Sequence, residues 1–480
     1  VINLPIISSF ADFPQTVPDK TVNLYGNKIG ETYFLECSPG LKLFGEALGN
    51  GAIRNMLTFK AQDQFLFLVR GNIFQMWDTG LSAFVSLGIV SSVVGKIGMS
   101  YNSYQVLIVD DANAYVYDVY GASAGTFAII DGIGPPSHGA FPFQGGNSTA
   151  VFAGLRMYSI EPNSGRVFAS NRDNDPDGAR TWDPIAEIEA ETFPDPLVGM
   201  ANIGPAMLVF GSDSFEVWVD QGLPIFPYRR VQAGASIGCS APNSIAVFGG
   251  FAYWLGGSRE GRGIVYRAKG TEAEEVSTHE IDAIIQTLPN FSDAVGYVFQ
   301  EDGHPFYVLN FLEGDKTLVF DISHNLWSEW EYRNADGTTS RHPAIAQAVY
   351  TGLNLVGDSR NGNVYEMSRK YVTNDGLPIV REKIFTIWPP DPYEFTNMPP
   401  FFLALDVGQV ASGLEEPLAM LSWSDDRGKL YSQMRVLGLG FQGEYNKRLV
   451  WHGMGSSYGR AYRIRLTGPV SFVIRGAGML

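Results

Sequence analysis

Asp173, Asp175 and Asp177, followed by Gly178 in NRDNDPDGAR, have the D-x-D-x-D-G opening of a calcium loop. In such a loop alternating carboxylates turn their oxygens toward one cation, and the glycine permits the sharp turn. The twelfth position, where a bidentate Glu would close the site, is Pro184, so the segment reads as a solvated acidic turn. The six histidines, His138, His279, His304, His324, His342 and His452, stand singly along the chain, which favours ordinary hydrogen-bonded roles over ligation. Cys37 and Cys239 are the only cysteines and lie in no CxxC or Cys/His spacing, so they read as small buried thiols. There is no HExxH, GxxxxGK[ST] or helix-opening GxGxxG motif. Glu415 and Glu416 are adjacent carboxylates, but chain neighbours in a loop do not supply the separation of about 5–10 Å that glycoside hydrolysis needs. The expectation is a non-enzyme with no catalytic, cofactor-binding or metal residues and no cofactor.

SWSDDRGKLYS, residues 422–432, resembles the Asp-box S-x-D-x-G-x-T-[WY] of sialidases and related β-proteins, with Leu430 where the box prefers Thr. There the Asp and Gly shape a hairpin turn over an aromatic residue, so the motif is architectural and gives no reason to expect a glycosidase.

The elements that must carry these residues are strands. A β-rich apolar run, a Gly/Asp/Asn turn and a second run ending in an aromatic residue recur at a spacing of about 40 residues. Copies are FLFLVRGNIFQMWDTG (65–80), QVLIVDDANAYVYDVYG (105–121), AMLVFGSDSFEVWVDQG (206–222), FAYWLGGSREGRGIVYRAKG (251–270), FYVLNFLEGDKTLVFD (306–321) and LNLVGDSRNGNVYEM (353–367). FLFLV and VLIV are apolar at adjacent positions, as strands packed on both faces must be. With a less regular unit at 151–170 they predict an all-β fold, a propeller of about seven blades. The alternative is a set of unrelated hairpins in a large sandwich. HEIDAIIQTL, 279–288, predicts a short amphipathic helix capping or bridging two blades. WPPDPYEFTNMPP, 388–400, is too rich in proline for regular structure and predicts an extended connector. Beyond it FFLALDVG, LAMLSWSD, RLVWHGMG, AYRIRLTG and VSFVIRG predict a C-terminal β-sandwich. The expected division is an arm at 1–55, packed on the propeller or exchanged with a neighbour, a propeller at 56–378 and a sandwich at 379–480. The strand VREKIFTIW before the connector fits either side.

Composition limits the function classes. Apolar residues make up 45% and charged ones 18%, which supports a large core and argues against disorder. No run reaches the ~20 apolar residues of a spanning helix, and the first ten residues lack the form of a signal peptide. A net charge of -16 repels phosphate, so tight DNA binding is not expected. The same repulsion would keep duplex DNA from sticking while it slides through a channel.

Several stretches together resemble the packaged-DNA stabilisation, or tail hub, proteins of short-tailed bacteriophages, through most of the chain. They are SPGLKLF from Ser38, TWDPIAEIEAETFPDPLVG from Thr181, FGSDSFEVWVDQGLPIFPYRR from Phe210, GCSAPNSIAVFGGFAYWLGGSREGRGIVYRA from Gly238, and VSTHEID from Val276. GHPFYVLNF from Gly303, TLVFDISHNLWSEW from Thr317, SDDRGK from Ser424 and LGLGFQGEYNKRLVWHGMGSSYGRAYRIRLTGPVSFVIRGA from Leu437 continue the pattern. The basic stretch usual near the end is reduced to Gly459, Arg460, Arg463 and Arg465. The resemblance implies a structural virion protein assembled in the host cytoplasm, forming a ring, expected to be a hexamer, below the portal and adaptor. Such a head-tail connector extends the tail tube, retains packaged DNA until genome ejection, and passes double-stranded DNA through its lumen without specific binding. Implied partners are further copies of itself, the adaptor or head-completion ring, a tail fibre or tailspike, and a needle or tip protein, with no membrane insertion. The alternatives are a carbohydrate-binding or sialidase-like propeller and the nozzle protein of a short-tailed phage.

Overall fold

The computed structural model describes residues 2–4, 20–29, 32–110, 113–130, 149–161, 163–173, 178–180, 182–190, 195–232, 235–257, 262–387, 394–407, 416–440 and 447–479. Seven small antiparallel sheets follow one another along the chain, and their first strands touch in sequence around a closed circle, the seventh returning to the first. This is a seven-bladed propeller. Its blades, numbered in chain order, start at Ile53, Gly98, Val151, Leu197, Ala246, Val295 and Ala344, and Gly238–Cys239 also pairs with the second strand of blade 5. The repeated sequence unit corresponds each time to the second and third strands of a blade. In blade 2, Gln105–Val109 and Ala114–Asp118 are buried at every position, which is why their apolar residues do not alternate.

One apolar cluster fills the space between each pair of adjacent blades. Between blades 4 and 5 Phe210, Phe215 and Trp254 meet, and between blades 1 and 2 Phe59, Phe67, Phe74 and Tyr117. The helix His279–Thr287 sets Ile281 and Ile285 into the cluster between blades 5 and 6, so it bridges two blades.

Blade 7 takes its fourth strand from the start of the chain. Gly40–Glu46 pairs antiparallel with Asn363–Ser368, and its far edge meets Thr373–Asn374. A β-carbon at Gly40 would run into the carbonyl oxygens of Tyr371 and Thr373, so only glycine fits where the strands close the ring.

The sandwich has its own core, with Leu24, Leu403, Leu421, Trp451, Tyr462 and Ile474 among its members. One sheet has the order Leu24–Ile29, Thr32–Cys37, Phe472–Met479, Phe401–Val407, Lys447–Trp451, and Ile2–Leu4 also pairs with Phe472–Met479. The other contains Arg381–Ile387, Arg460–Thr467, Leu418–Ser424 and Arg435–Gly438. The ambiguous strand before the connector therefore lies in the sandwich. The segment expected as an arm gives strands to both units: 24–37 to the sandwich and 40–46 to the propeller. Of the proline-rich stretch, 388–393 lies outside the described residues; Thr396–Asn397 pairs with Ser456–Ser457, a short ladder where only extended chain was expected. No helix among the described residues is long and apolar enough to cross a membrane.

Candidate functional site at the propeller–sandwich joint

Blade 6 consists of Val295–Glu301, His304–Phe311, Lys316–Asp321 and Leu326–Glu329. Its outer strand does not end the sheet. Thr21–Val22 pairs in parallel with it, Val22 opposite Glu329, and pairs antiparallel with Arg381–Ile387 on its other side. The blade and one sheet of the sandwich are thus a single nine-stranded sheet. Asn23 locks the crossing. Its side-chain amide donates to the carbonyls of Glu331 at 3.0 Å and Val380 at 2.8 Å, and its Oδ1 accepts from the Glu331 N–H at 3.0 Å. Short polar Asn tolerates the positive φ of 53° found there. Lys20 adds ion pairs to Glu331 at 2.8 Å and Glu329 at 3.2 Å. Burial alone would lower the Lys20 pKa, but the two carboxylates outweigh it and hold the ammonium above its ordinary value.

A cavity of about 380 Å³ opens beside this crossing, lined by Ser38, Glu301, Asp302, Arg369, Lys370 and Arg381 among others. Arg369 pairs with Asp302 at 3.1 Å and with the buried Glu36. Glu36 also accepts from Tyr25 Oη at 2.8 Å and Asn27 Nδ2 at 2.9 Å. Burial and the Glu36 charge raise the Tyr25 pKa, so the phenol stays a donor. Glu301 accepts from Ser368 Oγ at 2.8 Å and the Arg369 N–H at 3.0 Å. Arg381 is only 1% exposed, lies over the Phe472 ring at 5.5 Å, and among the described residues has no hydrogen-bond partner at any of its three guanidinium nitrogens. Cys37 gives its thiol hydrogen to the Phe472 carbonyl at 3.2 Å, and burial raises its pKa; burial likewise pushes the Cys239 thiol up to about 12. Neither thiol is a nucleophile at neutral pH. Arg381 apart, Glu36, Glu301 and Asp302 are all engaged by Arg369 and its neighbours, which is chemistry for holding two domains together.

At the same end of blade 6, His304 and His324 both turn Nδ1 toward Asp321 Oδ2, at 3.3 and 3.0 Å. The sequence reading treated these histidines as isolated; folding brings them together. The signal was available in the hairpin register, which sets Phe306 opposite Asp321 and therefore places His304 beside it. His279 forms a second group with Glu275 and Asp282, their ligand atoms within 4.8 Å of one another. His138 lies outside the described residues, as do Asp175 and Asp177. Asp173 is buried and both its oxygens accept from Ser103, the hydroxyl at 2.5 Å. Glu415 also lies outside, while Glu416 accepts from the Gly440 N–H at 3.0 Å.

The Asp-box turn forms as its sequence requires. Asp426 accepts from Ser424 Oγ at 2.6 Å and the N–H groups of Lys429 and Leu430 at 3.0 and 2.9 Å, which lower its pKa. The three arginines of the reduced basic stretch are used internally. Arg460 binds Asp425 at 2.6 and 2.8 Å, Arg463 stacks on Tyr431 at 3.7 Å, and Arg465 binds Glu382 at 2.5 Å.

A family model described as the β-propeller of bacteriophage P22 Gp10 matches residues 3–372, and one described as its β-sandwich matches 397–479. The chain belongs to the bacteriophage P22 Gp10 family. It is therefore a structural protein of the phage tail, built as the propeller and sandwich that the two models name. The joint strand Arg381–Ile387 falls between the matched regions. No curated protein matches. Among solved structures, the chain is similar to the extracellular domain of the BT4673 one-component system from B. thetaiotaomicron, with 7% identity and a TM-score of 0.44 over 86% of this chain and 48% of that one. It is similar also to the N-terminal domain of Nup159, at 10% identity and a TM-score of 0.40 over 73% of this chain and 98% of that one. A chain of the mitotic checkpoint complex gives 10% identity and a TM-score of 0.42 over 71% of this chain and 98% of that one.

Proposed function

We propose that this member of the P22 Gp10 family is the tail hub: a non-enzymatic ring subunit, six to a ring, seated below the portal and adaptor. It extends the DNA channel, retains the packaged genome until ejection, and offers its outer surface to a tail fibre or spike and its lower end to a needle or tip protein. The observation that carries this reading is the end-to-end match of the two family models across both structural units. The role assigns no catalytic or cofactor-binding residue. The proposed division is a propeller at 56–378 and a sandwich at 379–480, with 1–55 as the arm that ties them and whose last residues, 53–55, already open blade 1.

Charge and size favour a channel between copies. The cavity among the inner strands, lined by Asn55, Lys96, Val151, Met200 and Asn243, holds about 200 Å³, far too little for a duplex whose major groove alone is ~12 Å wide. Lys96 donates to the Asn243 carbonyl at 2.8 Å, and burial pulls its pKa down to about 8. A net charge of -16 makes DNA a passenger in a wider lumen. Electron microscopy of the purified protein and of virions tests the reading: rings at the tail vertex, six copies each, are expected. A monodisperse monomer, absent from particles and turning over a glycan, would overturn it.

A further inference from the structure

We propose that His304, Asp321 and His324 form a binding site for a transition-metal ion of the zinc class at the sandwich-facing end of blade 6. Zinc takes imidazole nitrogen at about 2.0–2.1 Å and carboxylate oxygen at about 2.0–2.2 Å, in a tetrahedron. Those bond lengths at a tetrahedral angle set ligand-to-ligand edges of about 3.4 Å and bring two ligating imidazole rings to about 5 Å between centres. The nitrogen–oxygen edges are 3.3 and 3.0 Å, the ring centres are 5.2 Å apart, and the three ligand atoms lie within 4.8 Å of one another. The donor set is borderline-soft nitrogen with one carboxylate, which suits zinc, cobalt or nickel and not calcium or magnesium.

The surroundings support the ligands. Asp321 Oδ1 is taken by the Ser323 N–H at 2.8 Å, which leaves Oδ2 aimed between the two rings. His304 is held against Tyr25, ring centres 5.4 Å apart, and against Phe306 at 6.0 Å. Asp321 is 2% exposed and His324 21% exposed, so the site is buried on one side and open to solvent on the other. Among the described residues the site offers three protein ligands and leaves a fourth position open. The fourth is filled by water or by a donor group from outside. Because Tyr25 belongs to the sandwich, the ion would stiffen the blade at the place where the two units meet.

The full-length protein, stripped with a chelator and dialysed against Zn(II), should hold one zinc per chain by elemental analysis. Co(II) in its place should give the intense visible absorption of a tetrahedral site. His324→Gln changes the partly exposed ligand and should leave the fold intact, by circular dichroism, while weakening zinc binding at least tenfold. His304→Gln and Asp321→Asn should do the same. Wild-type protein that binds no more zinc than His324→Gln, or a cobalt complex without the tetrahedral spectrum, would overturn the proposal.

Discussion

His342 is 3% exposed, donates its backbone N–H to Thr317 Oγ1 at 3.0 Å, and accepts at Nδ1 from the Ala344 N–H at 3.4 Å. Burial pushes its pKa down to about 3, and Arg360 and Arg341 add to the effect. In the unfolded chain the same ring titrates near 6.5, so between about 3 and 6.5 the unfolded state binds a proton that the folded state refuses. Stability from this residue is therefore complete above pH 6.5 and is lost as pH falls, by up to about 1.4 kcal/mol per pH unit. Denaturant midpoints between pH 4 and 7 should slope more steeply for the wild type than for His342→Gln; equal slopes would contradict the assignment. Arg381 makes the opposite case. An unpaired buried guanidinium is a cost, so Arg381→Met should leave stability unchanged or raise it by about 1–3 kcal/mol. A thermal midpoint several degrees lower would mean that its charge has a role its surroundings do not reveal.

Trp254 is fully buried between blades 4 and 5, and its indole N–H donates to the Gly238 carbonyl at 3.1 Å. Trp327 packs between blades 5 and 6, donating to the Val276 carbonyl at 2.9 Å. Truncating either to Ala should cost about 3–5 kcal/mol, read from chemical denaturation. A loss below about 1 kcal/mol would show that the blades pack without them. These hairpin strands were legible because two apolar runs around a Gly, Asp or Asn turn specify their own pairing. The first strands were harder to see, since Val151–Ala153 and Ala246–Phe248 are three residues long and carry no period. The closing strand Gly40–Glu46 was not legible at all: its partner lies at Asn363–Ser368, and a β pattern records which face is buried but not which strand is next to it. The His304–Asp321–His324 set was missed for a smaller reason, as it follows from the register of one hairpin.

At the scale of the molecule, the arm is what makes two units one. Removing residues 1–47 would take the fourth strand from blade 7, three strands from the sandwich, and the Thr21–Val22 crossing. The truncated chain should lose its cooperative melting transition and expose apolar edges that aggregate. A sharp transition near the wild-type temperature would mean the propeller closes on three strands. The acidic balance belongs to this scale as well, because a net charge acts on the solvent and on any polyanion that comes near and not on any one contact.

The pairing of Thr32–Cys37 with Phe472–Met479 has a consequence in time. Cys37 meets the Phe472 carbonyl across 435 residues, and at a synthesis rate of about 5–20 residues per second the early strands would wait roughly 20 to 90 s for their partner to be made. During that interval the ribosome carries a chain with an unpaired edge and an open ring. Yield during infection should therefore depend on synthesis speed and on chaperones that cover strand edges, even for a protein whose finished form is tightly sewn.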